Sequence, residues 1–156
     1  MQELLWDCAL YGGRLVFAGL CGAVVGWERE YHEKGAGLRT HTLICVGACL
    51  FSLVALRMQE MDPASDLLRV VQGLLLGIGF IAGGVIFTHR GSVRGLTTAA
   101  GLWVLTGVGL AAGMGFYGLA ALGTGLSLLI VAGLKRLEAH IHRAPAPDDG
   151  EEAGTE

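Results

Sequence analysis

Charge is scarce in this chain. Only 16% of its 156 residues are Asp, Glu, Lys or Arg, where soluble domains carry about 25%. With 53% hydrophobic residues and a mean hydropathy of +0.56, so short a chain has more apolar surface than one water-facing fold can bury. That excludes an ordinary soluble domain and leaves lipid as the solvent. Proline is nearly missing, with 3 residues, and the 26 glycines follow no collagen period and lie inside apolar runs. A low-complexity linker is thereby excluded, and closely packed membrane helices are indicated instead, since small residues let backbones approach. No basic stripe interleaves with aromatics, so nucleic-acid binding is not expected. Glu3 and Asp7 stand where a basic leader segment would lie. The first apolar run therefore reads as a retained anchor and not as a cleaved signal. The cysteines Cys8, Cys21, Cys45 and Cys49 lack zinc-ribbon or paired extracellular spacing. Cys45 and Cys49 share a helix face four residues apart, a weak pattern for a metal.

What is present is a series of apolar runs. They extend over about 4–27, 40–56, 67–87, 96–113 and 116–134, each within the roughly 17 to 25 residues that cross a hydrocarbon core. They are too long for barrel strands and lack strand alternation. The expected fold is all-α, a polytopic membrane bundle of about five transmembrane helices over residues 1–137. Residues 138–156, with Ala-Pro-Ala-Pro and then acids, read as a disordered acidic tail. Arg29, Lys34, Arg39, Arg90, Arg94, Lys135, Arg136 and Arg143 all fall on one side of an odd number of spans, and Arg57 and Arg69 on the other. The positive-inside rule places the N-terminus outside and the tail in the cytoplasm.

Arg14 lies inside the first run, where a charge costs about 2.5 to 3.5 kcal/mol even on a mild insertion scale. It needs a partner. Asp7 and Glu28 lie seven residues before it and fourteen after, on roughly one helix face. Asp66, Arg69 and Gln72 share a face at the start of the third run. An outer polar cluster of Asp7, Arg14, Asp66, Arg69 and Gln72 is expected, either as an ion site or as a structural ion pair. A Mg²⁺ ion would want several oxygens, and these carboxylates do not specify one. Gly73/Gly77 and Gly79/Gly83 are G-x-x-x-G pairs, with Gly84 beside them. They read as helix-packing surfaces, or alternatively as a broken helix offering carbonyls to an ion. The charged stretch from Glu28 to His41 reads as a solvated loop or a docking surface, with Thr40 available as a cap. Thr97 and Thr98 open the fourth run. No nucleophile stands near a base, so an enzyme is not expected.

Three blocks carry a resemblance. Gly26-Trp27-Glu28-Arg29-Glu30 with Ala36-Gly37-Leu38-Arg39-Thr40-His41-Thr42-Leu43 resembles the first block of the MgtC/SapB family of bacterial membrane proteins. The stretch from Gly77 to Ile86 resembles the second, and that from Val93 to Trp103 the third. The blocks fall in the family's order, and the likeness covers roughly residues 4–134. It implies a bacterial inner-membrane protein linked to Mg²⁺ homeostasis. The role implied is a regulatory one, such as restraint of an F-type ATP synthase, or else Mg²⁺ transport. The matching positions are Asp7, Arg14, Glu28, Arg29, Arg39, Thr40, Arg94 and Thr97. Two departures stand out. Several members carry a soluble domain where this chain has its acidic tail. Ile81-Ala82-Gly83 replaces the usual Leu-Gly-Ala. Glycine-rich faces on short helices lead us to expect a homo-oligomer, a dimer in the simplest case.

Overall fold

The computed structural model describes residues 2–89 and 92–134. Five α-helices form: α1 (Gln2–Tyr31), α2 (Leu38–Met61), α3 (Leu67–Gly83), α4 (Leu96–Gly113) and α5 (Tyr117–Leu128), the last running on as a π-helical turn, Leu129–Gly133. A short antiparallel hairpin, β1 (Phe87–His89) and β2 (Ser92–Arg94), joins α3 to α4. The fold is thus nearly all-α. Three helical stretches, Asp7–Tyr31, Leu38–Met61 and Leu96–Gly113, are long and apolar enough to cross a membrane. α3 and the α5 stretch, Tyr117–Gly133, are shorter apolar helices, at the lower bound of about 17 residues for a span.

The expected boundaries shift in three places. α1 continues through the charged Glu28-Arg29-Glu30, so the first loop shrinks to the few residues before Leu38. α2 runs on to Met61. The third run stops early at Gly83, because Phe87 is taken by β1. The apolar pattern gives no sign of this strand, whose first residue continues the third run without a break in hydrophobicity. The tail, 138–156, and Arg90, Lys135, Arg136 and Arg143 lie outside the described residues.

Each helix end has a local cause. Glu30 reaches across the first turn, and its carboxylate accepts from Leu38 N–H at 2.7 Å, capping α2. Asp66 caps α3 by accepting from Leu68 N–H at 3.0 Å. Asp62 forms the turn before it, accepting from Ala64 N–H with its side chain and from Ser65 N–H with its carbonyl. α4 ends in a Schellman motif. Gly115 is left-handed at φ +85, and Phe116 and Gly115 donate back to Ala111 and Ala112.

The interior lies between α1, α2 and α4. Gly22 and Gly26 of α1 face α2, and Gly109 and Gly113 of α4 face α2 from the other side. A methyl at Gly22 would stand 2.7 Å from the His41 carbonyl oxygen, and one at Gly113 2.6 Å from that of Cys49. Both glycine pairs are four apart, so each forms a seam along which backbones touch. The order of these contacts makes α1 antiparallel to α2, and α4 parallel to it. Around the seams are buried Ala18, Cys21, Val25, Cys45, Leu105 and Ala112. The outer surface is apolar, with Leu76 79% and Phe80 88% exposed. A water-soluble monomer rarely shows an apolar patch of such extent, and a bilayer accommodates it.

The four glycines read as packing surfaces, Gly73, Gly77, Gly79 and Gly83, behave differently. A methyl on any of them meets nothing within 4 Å. Within this chain they do not hold helices together. Gly73 and Gly77 instead line an apolar groove of about 580 Å³ between α2 and α3. Gly84 caps α3, close only to carbonyls of that helix.

Candidate functional site

Two polar places emerge, one at each end of the bundle. At the end holding the α1 N-terminus, Arg14 donates from Nη1 to the carbonyl oxygen of Gly113 at 2.6 Å. The Gly115 turn lies against the same guanidinium. Arg14 therefore answers the carbonyls at the C-terminus of α4, the negative end of that helix. Its Nε has no partner. Phe17 and Tyr117 stack edge to face at 5.3 Å on the next turn, tying α5 to α1.

The rest of the expected outer cluster does not join it. Asp66 is engaged as the α3 cap and holds Arg69 at 3.8 Å, and both are exposed. Gln72 is exposed on α3 as well. Asp7 is within electrostatic reach of Arg57 on α2, and Arg57 pairs with Glu60 at 2.7 Å. In place of the expected carboxylates, Arg14 meets a helix terminus.

The opposite, basic end is more enclosed. Arg29, in the last turn of α1, is only 5% exposed and donates from Nη2 to Thr98 Oγ1 at 3.0 Å. This bond ties the end of α1 to the start of α4. Glu28 points elsewhere, to His32 Nδ1 at 3.0 Å, and its second oxygen is buried without a partner. His41, 1% exposed at the start of α2, donates from Nδ1 to the Gly37 carbonyl at 2.9 Å and leaves Nε2 unpartnered. It is within electrostatic reach of Arg29 and Glu28. These groups make a buried polar knot where α1, α2 and α4 meet.

Beside the knot is a pocket of about 600 Å³, lined by Arg29, Lys34, Gly95, Thr97 and Thr98, with Ile130, Val131 and Leu134 on the far wall. Gly95 is required by its position. It sits at φ +90, and a side chain there would overlap the Val85 carbonyl. Of the positions singled out by sequence, Arg29 and Thr97 line this pocket and Glu28 adjoins it in the chain. Arg39 and Arg94 are exposed and Thr40 is half-buried, all outside the pocket. Thr98 does what a threonine opening the fourth run can do, bonding across helices and lining a cavity. Lys34 and His41 enter the site unheralded, because no spacing rule links them to a helix start about 55 to 65 residues on.

A resident Mg²⁺ does not fit these residues. Asp7 and Glu28 stand about 31 Å apart along α1 at 1.5 Å per residue, and Asp66 is engaged in its cap. Among the described residues no three His, Cys, Asp or Glu side chains gather, whereas Mg²⁺ needs near-octahedral oxygen. The buried hydroxyls of Ser52, Thr106, Thr124 and Ser127 donate to carbonyls one turn back in their own helices.

An apolar-surfaced bundle of long apolar helices, with its charged groups gathered toward the two ends, is a polytopic helical membrane protein. The chain belongs to the MgtC family, whose pattern matches residues 15–140. It is 37% identical over 136 residues to protein SrpB of Synechococcus elongatus, covering 80% of this chain and 75% of that one. It is 36% identical over 127 residues to the putative magnesium transporter YhiD of Escherichia coli strain K12, covering 76% and 57%. Over 137 residues it is 35% identical to protein MgtC of Salmonella typhimurium strain LT2, covering 88% and 58%. This chain thus spans little more than half the length of most of these relatives. No solved structure matches it.

Proposed function

We propose that this chain is a regulatory protein of the bacterial inner membrane, linked to Mg²⁺ homeostasis, that docks onto another membrane complex through its basic end. The observation that carries the reading is where the polar groups lie. Between Arg14 and the Arg29 knot, the space enclosed by α1, α2 and α4 is filled by Ala18, Cys21, Val25, Cys45 and Leu105 along touching glycine seams. That filling favours a rigid scaffold over a hydrated path for a divalent ion, which would need oxygens along its length. The basic end meanwhile presents exposed Tyr31, Arg39, Val93 and Arg94. By the positive-inside rule this end faces the cytoplasm. An F-type ATP synthase is the partner that the family resemblance suggests, and the open Gly73/Gly77 groove suits a second copy of the chain.

Mg²⁺ flux into liposomes holding the purified chain tests the reading. We expect no flux above empty liposomes from a preparation shown to be helical. Saturable flux that Arg14→Gln abolishes would replace it with transport. A photo-crosslinker at Arg39 in native membranes should capture a membrane complex; capture of nothing would remove the docking role.

A further inference from the structure

The pocket at the basic end has one cationic, hydroxyl-bearing wall and one apolar wall. Arg29 is 5% exposed, and among the described residues no carboxylate lies within 4 Å of it. Its side-chain hydrogen bond goes to a neutral hydroxyl, that of Thr98. A guanidinium has five N–H donors and no acceptor, and a charge so buried is costly unless an opposite charge answers it. Its sequence neighbour Glu28 lies within electrostatic reach but makes no ion pair with it: one carboxylate oxygen pairs with His32 and the other is buried without a hydrogen-bond partner.

The same pocket receives the start of α4. Gly95, Leu96, Thr97 and Thr98 all line it, and the N-cap, Gly95, supplies no side-chain acceptor. The start of an 18-residue helix, and with it the positive end of its dipole, therefore borders the cavity. Lys34 adds a second cation from the loop after α1. Two cations, a helix N-terminus and two hydroxyls converging on one space complement a tetrahedral oxyanion.

We propose that this pocket binds a phosphate group, that of an anionic phospholipid headgroup. The opposite wall selects the lipid over a free anion. Ile130, Val131 and Leu134 are apolar, and Ile130 and Leu134 are exposed on the outer surface of the bundle. A glycerol backbone and the first acyl carbons have a place to lie there, while the phosphate meets Arg29 and Lys34. The pocket sits at the end of α1 and the start of α4, two helices long and apolar enough to span, where headgroups meet the ends of a span. The inference rests on the geometry of this pocket and holds or fails independently of the docking role.

The test is a titration of the full detergent-solubilised chain with short-chain phosphatidylglycerol, short-chain phosphatidylcholine and inorganic phosphate, followed by thermal unfolding. Phosphatidylglycerol should raise the midpoint saturably, and phosphatidylcholine should not. Lys34→Gln, in an exposed loop where folding is not at stake, should weaken the phosphatidylglycerol affinity about fivefold, from the roughly 1 kcal/mol that a basic residue contributes at an anionic surface. Arg39→Gln removes the same charge from the same end but outside the pocket, and should change it less than twofold. Arg29→Gln, where it folds, should weaken it more than tenfold, as for loss of a charged hydrogen bond. Stabilisation by inorganic phosphate alone, with the same dependence on Lys34, would uphold the phosphate site and make its source soluble. Equal losses in Lys34→Gln and Arg39→Gln, or no stabilisation by either phosphate source, would overturn the proposal.

Discussion

Substitution of Gly109 by Ala separates structural seams from mere glycine content. A methyl at position 109 would overlap the Cys45 carbonyl oxygen and stand 2.9 Å from Ala48 Cβ. The first obstacle is backbone and the second is itself a methyl, so no rotamer change relieves them. α2 and α4 must separate, and overpacking of this kind costs about 1–3 kcal/mol. Gly77→Ala is the internal control, because a methyl there meets nothing within 4 Å. Both substitutions gain the roughly 1 kcal/mol by which Ala exceeds Gly in helix propensity, so that gain cancels between them. The difference left is the steric cost, about 1–3 kcal/mol, or roughly five- to 150-fold in the unfolding equilibrium. Unfolding in mixed dodecyl maltoside and dodecyl sulfate micelles, followed by far-ultraviolet circular dichroism, measures it. Gly77→Ala should stand at or above the parent, and Gly109→Ala below it. Equal stability of the two variants, or a larger loss at Gly77, would refute the assignment of the seams.

Arg14→Gln should lower stability by about 1.5–3 kcal/mol, the range for a hydrogen bond made by a charged group, and Asp66→Asn should not change that loss. Coupling between the two sites in a double-mutant cycle would instead restore the outer polar cluster. Asp66→Ala should cost about 0.5–2 kcal/mol through loss of the α3 cap, while Asp66→Asn keeps most of it. The same unfolding assay reads this, and equal losses in both variants would show that Asp66 acts through its charge.

The five helices were legible because apolar run length is a direct consequence of the bilayer as solvent. The end of α3 was not. Ile86 and Phe87 continue the apolar run, but Gly84 caps the helix and Gly95 closes against Val85, so that the chain turns back as β1 and β2. Arg14 was correctly marked as needing a partner. Its partner escaped because the carbonyls of Gly113 carry no side-chain signature. Glycine pairs at four-residue spacing occur on α1, α3 and α4 alike, and spacing cannot reveal which of them meets another helix. Only the seams at Gly22/Gly26 and Gly109/Gly113 are closed. The Arg29–Thr98 contact spans 69 positions; both residues fall inside stretches that resemble family blocks, and no local pattern pairs them.

Cys45 belongs to both seams at once. Its Cβ lies against Gly22, its carbonyl against Gly109, and its Sγ donates to the Leu105 carbonyl at 3.2 Å. The volume at this one position is therefore set from two directions. A bulkier residue would pry α1 and α4 away from α2 together, and a smaller one would loosen the contact with Leu105. α1, α2 and α4 are consequently locked together as one keel at the level of Cys45, between the Arg29–Thr98 contact toward one end and the Arg14–Gly113 contact toward the other. α3, with only Ile78 and Ala82 buried, meets that keel through far less of its surface.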